Sequence, residues 1–370
     1  MFKKITTLYC FCFVFSLINA QGIGEWRMHI NYNNTISAAS SSNTVIAANS
    51  KSILIYDIND GDIRTLDKVT GLSDYGVNDV AYDETTNTFL VAYTNSNLDL
   101  IQGNTIINLP DIKNKLIAGS KNINDIFCHE GFAYVSTDFG IVVVNIAAEE
   151  VANTYVIGST GNQTTIFDCS ISNDTLYALT AEGIKTAYLF GGNLLDYSVW
   201  NHNFSPSYSF NEIAAYQNDL YAISDSSFYQ FNQGNWNEIY NSDSGTLSNI
   251  YTSDFISFVD DLINVITYEN AEIDTLSSAY SIAPNACFKK GNNLILGDFS
   301  FGLFKNGSKV FNFSNPFSNK GFRALSLDDK MIISAGGFNS NVDAEYNYDG
   351  FYVFENNNWT NHNIFTSIGT

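Results

Sequence analysis

Apolar residues along this chain alternate or gather in runs of four and five, rich in Ile, Val, Tyr and Phe, as pleated strands demand. Turn-forming clusters separate the runs: NDGD at 59–62, ETTN at 84–87, SNDT at 172–175 and NGS at 306–308. Prolines number four, and no stretch sustains a helical period. The pattern also repeats. VIAANSKSILIYD, LVAYTNSNLDLI, AYVSTDFGIVVVN, LYALTAEGIKTA, LYAISDSSFYQF, INVITYENAEID, LILGDFSFGLFK and YNYDGFYVF read alike when anchored on Ser52, Asn97, Gly140, Gly183, Ser227, Asn270, Gly302 and Gly350. The anchors stand 45, 43, 43, 44, 43, 32 and 48 residues apart, a mean near the length of one four-stranded propeller blade. A β-solenoid needs a shorter repeat and an α-solenoid needs helices. The fold expected is therefore all-β, a β-propeller of four-stranded blades, seven-bladed although eight repeat units are visible.

All four tryptophans fall in one recurring segment, seen as GEWRMHI (24–30), SVWNHNF (198–204), GNWNEIY (234–240) and NNWTNHN (357–363). In the later copies this segment follows the anchor strand, so it reads as the outermost strand of its blade. The first copy has no blade before it. It is expected to act as a clasp, completing a blade whose inner strands come later and so leaving no open edge. The expected division is a signal peptide at 1–20, a first propeller at 21–319, and a further blade at 320–370 that either closes the ring or enters a second propeller beyond this chain.

The start of the chain carries two lysines, an apolar run from Leu8 to Ile18 and a small residue at Ala20. That is the layout of a secretory signal, its apolar core too short for a comfortable membrane span. The chain is expected to be exported and either soluble, as in the periplasm, or held at the cell surface or outer membrane by partners. Loss of Lys3 and Lys4 with the signal takes the net charge from -21 to -23, which disfavours nucleic acid as a partner. Cys128, Cys169 and Cys287 would remain, an odd, widely spaced set that could include one disulfide but reads first as three buried thiols.

GEWRMHINYNNTISAA, KVTGLSDYGVNDVAYDETTNTFLVAYTNSNLDLI and LPDIKNKLIAGSKNINDIFCHEGFAYVSTDFGIVVVNI resemble the N-terminal region of the PorZ family of Bacteroidetes, whose members are often labelled two-component regulator propeller proteins. The resemblance is continuous from about Glu25 to Gly158 and weaker, but in register, to Thr370. It implies a non-enzymatic surface component of the type IX secretion system, with two seven-bladed propellers and a C-terminal β-sandwich bearing a sorting signal. It also implies action beside the sortase PorU, with PorV and PorQ, and binding of the anionic lipopolysaccharide that the sortase attaches to cargo. The chain has no room for most of the second propeller or for the sorting domain. The rival expectation is an oligosaccharide-sensing periplasmic propeller of a two-component system.

No residue set calls for a cofactor, a metal or catalysis. His29, His202 and His362 follow Trp in the outer-strand segment and so belong to different blades, while His129 sits in a turn; they cannot converge on one ion. DINDGD at 57–62 lacks the glycine and acid positions of a calcium loop and reads as a hairpin turn. Glu149-Glu150 and Asp260-Asp261 are sequence neighbours that point to opposite faces of a strand or meet water in a turn, unlike the facing acids of a glycosidase. DTL at 174–176 and 274–276 is too short a motif to carry a modification site. Most of the aromatic residues read as packing between blades.

Charge is unevenly spread. Residues 122–281 hold twenty acids and one base, Lys185, whereas the rest of the mature chain holds eighteen acids and fourteen bases. Lys113, Lys115 and Lys121 lie within nine residues, and a second group runs from Lys289 to Lys330. In a closed seven-unit ring these two groups would flank the first unit and make a basic arc that steers an anionic saccharide or lipid head group. Lys113, Lys115 and Lys121 are the candidate ligand-binding residues.

Overall fold

The computed structural model describes residues 27–363 apart from 203, 205–208, 244, 261–262, 277–282, 312–313, 340 and 345–348. The signal segment at 1–20 and Trp26 lie outside the described residues. Among those described, thirty-one strands, β1 to β31 in chain order, form eight antiparallel sheets of consecutive strands. Sheets 1 to 8 span 37–67, 77–109, 123–155, 166–188, 212–241, 247–276, 284–309 and 321–362. Seven are four-stranded; sheet 4 has three strands, its fourth place held by one bridge between Thr186 and Asn201. This is an all-β, propeller-like repeat architecture.

The first strands of sheets 1 to 7 are β1 (Ser37–Ser40), β5 (Val77–Asp83), β9 (Ile123–His129), β13 (Ile166–Ser172), β16 (Glu212–Tyr216), β20 (Leu247–Thr252) and β24 (Pro284–Lys290). Each packs against the next, and β24 also packs against β1. The core is divided accordingly into seven buried clusters, each shared by two sheets. One joins Ala38, Val45 and Leu54 of sheet 1 to Ala286, Phe288 and Ile295 of sheet 7. Each Val, Ile or Phe so buried contributes on the order of 2 kcal/mol. The seam is also hydrogen-bonded: Thr35 N–H donates to Asp298 O at 3.1 Å, and Asn285 Nδ2 to Ile36 O.

Sheet 8 is different. Its first strand, β28 (Gly321–Leu327), is exposed at every residue, and its second, β29 (Lys330–Ala335), is half-buried throughout. Tyr352 and Trp359 are buried on its other strands.

The repeat anchors open the third strand in five sheets, at Ser52, Gly140, Gly183, Ser227 and Gly302, and immediately precede it in two, at Asn97 and Gly350; the glycines among them are there for a steric reason. A Cβ on Gly140 or Gly350 would collide with the carbonyl oxygen of Tyr155 or His362 on the adjoining fourth strand, and both have positive φ (149° and 69°). Asn270 is the exception. It lies in the turn after the third strand of sheet 6, β22 (Asn264–Glu269), so the irregular spacing of 32 arises from anchoring one turn too late.

The tryptophan segments diverge. GNWNEIY and NNWTNHN supply the fourth strands β19 (Asn235–Asn241) and β31 (Asn358–His362), as expected. SVWNHNF instead runs on from a 3₁₀ turn at Tyr197–Val199 and, among the described residues, makes one bridge, at Asn201. In GEWRMHI the described residues, 27–30, form no strand, unlike the expected clasp strand. These residues still bridge the structure. Arg27 Nη1 donates to Asn357 Oδ1 at 2.8 Å and Trp359 Nε1 to His29 Nδ1 at 3.1 Å, both in sheet 8, while Asn34 Nδ2 donates to Phe299 O beside sheet 7.

Candidate functional site

The first strands of sheets 1 to 6, with Phe288 and Lys290 of sheet 7, line a cavity of about 910 Å³. Four carboxyl groups face it at matching positions, Asp79, Asp125, Asp168 and Glu212. Each precedes an apolar residue that turns back into the core: Val80, Ile126, Cys169 and Ile213.

These acids tie neighbouring sheets together. Ile213 N–H donates to Asp168 Oδ2 at 2.7 Å, and the N–H groups of Asn249 and Ile250 donate to the two oxygens of Glu212 at 2.9 and 2.8 Å. Ser37 Oγ donates to Asp79 Oδ1 at 2.7 Å and accepts from Val80 N–H. The asparagines beside the acids repeat the device: Asn78 Nδ2 donates to Ile123 O, Asn124 Nδ2 to Ile166 O, and Asn249 Nδ2 to Asn285 Oδ1. Every inner strand thus satisfies polar groups of the next, which a buried backbone requires.

Asp125 and Asp168 lie close enough on adjoining inner strands to interact, and two carboxyl groups can share a hydrogen bond only if one holds a proton. Burial, then the charge of Asp168, push Asp125 well above the carboxylate range, so Asp125 is the protonated donor. Burial raises Asp168 to about 7, and it raises Asp79 and Glu212 as well. With their oxygens engaged in joining strands, the acids act as structural pins. Among the described residues no group of three or more His, Cys, Asp or Glu could hold a metal ion.

The three candidate lysines lie on the connection from sheet 2 to sheet 3, around the short helix α1 (Asp111–Asn114). The structure brings them together but employs them unequally. Lys113 Nζ pairs with Asp74 Oδ2 at 2.7 Å, and Lys121 Nζ donates to the carbonyls of Lys113 and Lys115, closing the loop on itself. Lys115 is exposed, its ammonium 3.4 Å from Thr154 Oγ1 at the edge of a cavity of about 340 Å³ walled by Ile112, Val142 and Val151. Leu116, next to it, is 99% exposed. Sheets 2 and 7 both adjoin sheet 1, but several lysines of sheet 7 are internally engaged: Lys289 with Glu269, Lys305 with Ile58 O and Lys309 with Asn33.

The other expectations resolve on structural grounds. Cys128, Cys169 and Cys287 are free thiols, two buried and one half-buried. Asp57 and Asp60 accept the amides of Asn59 and Asp62 in the hairpin turn at 57–62. Asp260 accepts from Tyr240 and Ser242, and Asp261 lies outside the described residues. His129 stacks on Phe127 and His362 on Phe351, far apart in the repeat order. The inner-strand acids escaped the sequence reading, although their spacings of 46, 43 and 44 residues match those of the anchors.

Comparison with known proteins fits this geometry. A family profile, the type IX secretion system (TSS9) PorZ N-terminal β-propeller domain, matches residues 45–201. That segment belongs to the PorZ N-terminal β-propeller family. The PorZ propeller is a structural, non-catalytic domain. Among solved structures the chain is similar to PorZ of Porphyromonas gingivalis, described as an essential bacterial surface component of the type IX secretion system, with a TM-score of 0.77 and 17% identity over 92% of this chain. The chain spans just under half, 46%, of that PorZ structure. It is similar also to the extracellular domain of a protein assigned as a hybrid two-component system from B. thetaiotaomicron, with a TM-score of 0.57 and 15% identity over 94% of this chain and 49% of that one. A third likeness, a chain of the mitotic checkpoint complex, has a TM-score of 0.53 and 13% identity over 77% of this chain and 92% of that one. No curated protein matches the sequence.

Proposed function

We propose that residues 37–309 form one closed seven-bladed propeller within a domain at 21–319, that residues 320–370 begin a second, and that 1–20 direct export. In this reading the chain is a non-catalytic, surface-held part of a type IX secretion system. It docks with the sortase complex, PorU with PorV and PorQ, and binds anionic lipopolysaccharide through the segment bearing Lys113, Lys115 and Lys121. The observation that carries the reading is the family match at 45–201. The core shared by sheets 7 and 1 supports closure, and the uncovered β28 supports a further blade beside it.

Deleting the gene tests the role in secretion: cargo should lose its surface attachment, and unchanged attachment would overturn it. For the ligand, Lys115→Glu is the cleanest change because Lys113 and Lys121 also hold the loop. Binding of purified anionic lipopolysaccharide should weaken with Lys115→Glu and further with all three replaced; unaltered affinity in the triple variant removes this segment. A second reading, oligosaccharide sensing, is favoured by the likeness to the two-component extracellular domain. It predicts a transcriptional response to oligosaccharide that disappears with the gene while cargo attachment stays intact.

A further inference from the structure

Sheet 4 departs from its neighbours at its outer side. After β15 (Gly183–Tyr188) the chain does not return as a strand but runs through 189–200 as a pinned loop. Leu194 and Trp200 are its anchors, buried in the cluster between sheets 3 and 4, with Trp200 Nε1 donating to Leu194 O at 3.1 Å. Asp196 Oδ1 accepts Ser198 N–H, and Val199 N–H donates to Asp196 O. With the loop held so firmly, residues just before the first anchor and between the two turn outward. Tyr188 is 51% exposed, Phe190 73%, Leu195 54%, Tyr197 39% and Val199 41%. Tyr188 and Phe190 pack edge to face at 5.8 Å. A preorganised apolar group of this kind is a mark of an interaction surface.

Its electrostatic setting selects the partner. Sheets 3 to 6 fall within the sector of twenty acids and one base, and that base, Lys185, is 1% exposed, with its ammonium on Ile157 O and Glu182. The charged side chains of sheet 4 and its outer loops that meet solvent, Asp174, Glu182 and Asp196, are all negative. An anionic polymer or bilayer would be repelled. We propose that this outer surface of sheet 4 docks a protein segment that is apolar and positively charged. The proposal rests on the reading of the chain as a docking component and assigns that docking a face distinct from the lysine segment.

The experiment places p-benzoylphenylalanine at Phe190, and separately at Leu116 on the lysine segment, in cells that make the chain, followed by irradiation and mass spectrometry. The expected result is a protein adduct from position 190 whose cross-linked peptide carries Lys or Arg beside apolar residues. Binding of that partner to the purified full chain should then weaken at least tenfold with Phe190→Ser/Tyr197→Ser, and with added salt. No adduct at 190, an adduct to saccharide or lipid, an acidic peptide, or affinity unmoved by the double change would each overturn the proposal. Protein adducts from 116 alone would retain the docking reading and exclude this face; adducts from neither position would remove both.

Discussion

Sheets 3 and 8 are built from the same repeat: four antiparallel strands, a glycine opening or immediately preceding the third, and a fourth strand whose carbonyl requires it. Yet β11 (Gly140–Asn145) in sheet 3 is almost wholly buried and flanked by two shared cores, whereas sheet 8 leaves β28 open to solvent along its length. A blade is therefore specified locally by turns, alternation and one glycine, but its burial comes from its neighbours. Solvent on one side of a blade means either a missing neighbour or a surface that meets something else.

The comparison is broken most severely at the inner pins. Glu212→Ala strands two backbone amides and should cost on the order of 3 kcal/mol in chemical denaturation, in the transition belonging to sheets 1 to 7. Next come the matched glycines. Gly140→Ala should lower that same transition by roughly 2 kcal/mol, while Gly350→Ala, meeting the same collision in sheet 8, should leave it unmoved. Equal effects from the two would mean that sheet 8 unfolds with the others.

A smaller effect follows from proton linkage. Asp125 and Asp168 bind protons more tightly folded than unfolded, so their contribution is complete below the unfolded carboxylate range and is lost as pH rises through about 7 for Asp168. Thermal stability should fall between about pH 4 and about pH 8, and Asp125→Asn, which keeps the donor without the charge, should flatten the slope. A slope unchanged by Asp125→Asn would contradict the shared proton. Least of all, Leu325→Ser on β28 should alter stability by no more than about 0.5 kcal/mol, because more than half of the residue already meets water.

Much of this organisation is legible in the sequence, because strand alternation, turn chemistry and the anchor spacing are local signals. The three lysines also come together, since nine residues cannot separate far. Pairing between repeats is where the reading fails. The tryptophan of SVWNHNF is buried, but two glycines and Asp196 divert the preceding chain into a turn, so the expected outermost strand does not form. The clasp failed similarly: residues 27–35 find partners in sheets 7 and 8 through side chains and single backbone bonds, which leave no periodic trace. The acids of the inner strands were readable by spacing, yet their role depends on the strand beside them, some 45 residues away.

Ring closure is most directly tested by hydrogen exchange at the seam. The amide of Thr35, which donates to Asp298 O between sheets 7 and 1, should exchange as slowly as the Ile213 amide held by Asp168, both requiring the opening of the whole ring, while the amides of β28 exchange by local opening. A Thr35 amide that exchanges as fast as those of β28 would mean that the seam is open and the seven sheets do not close.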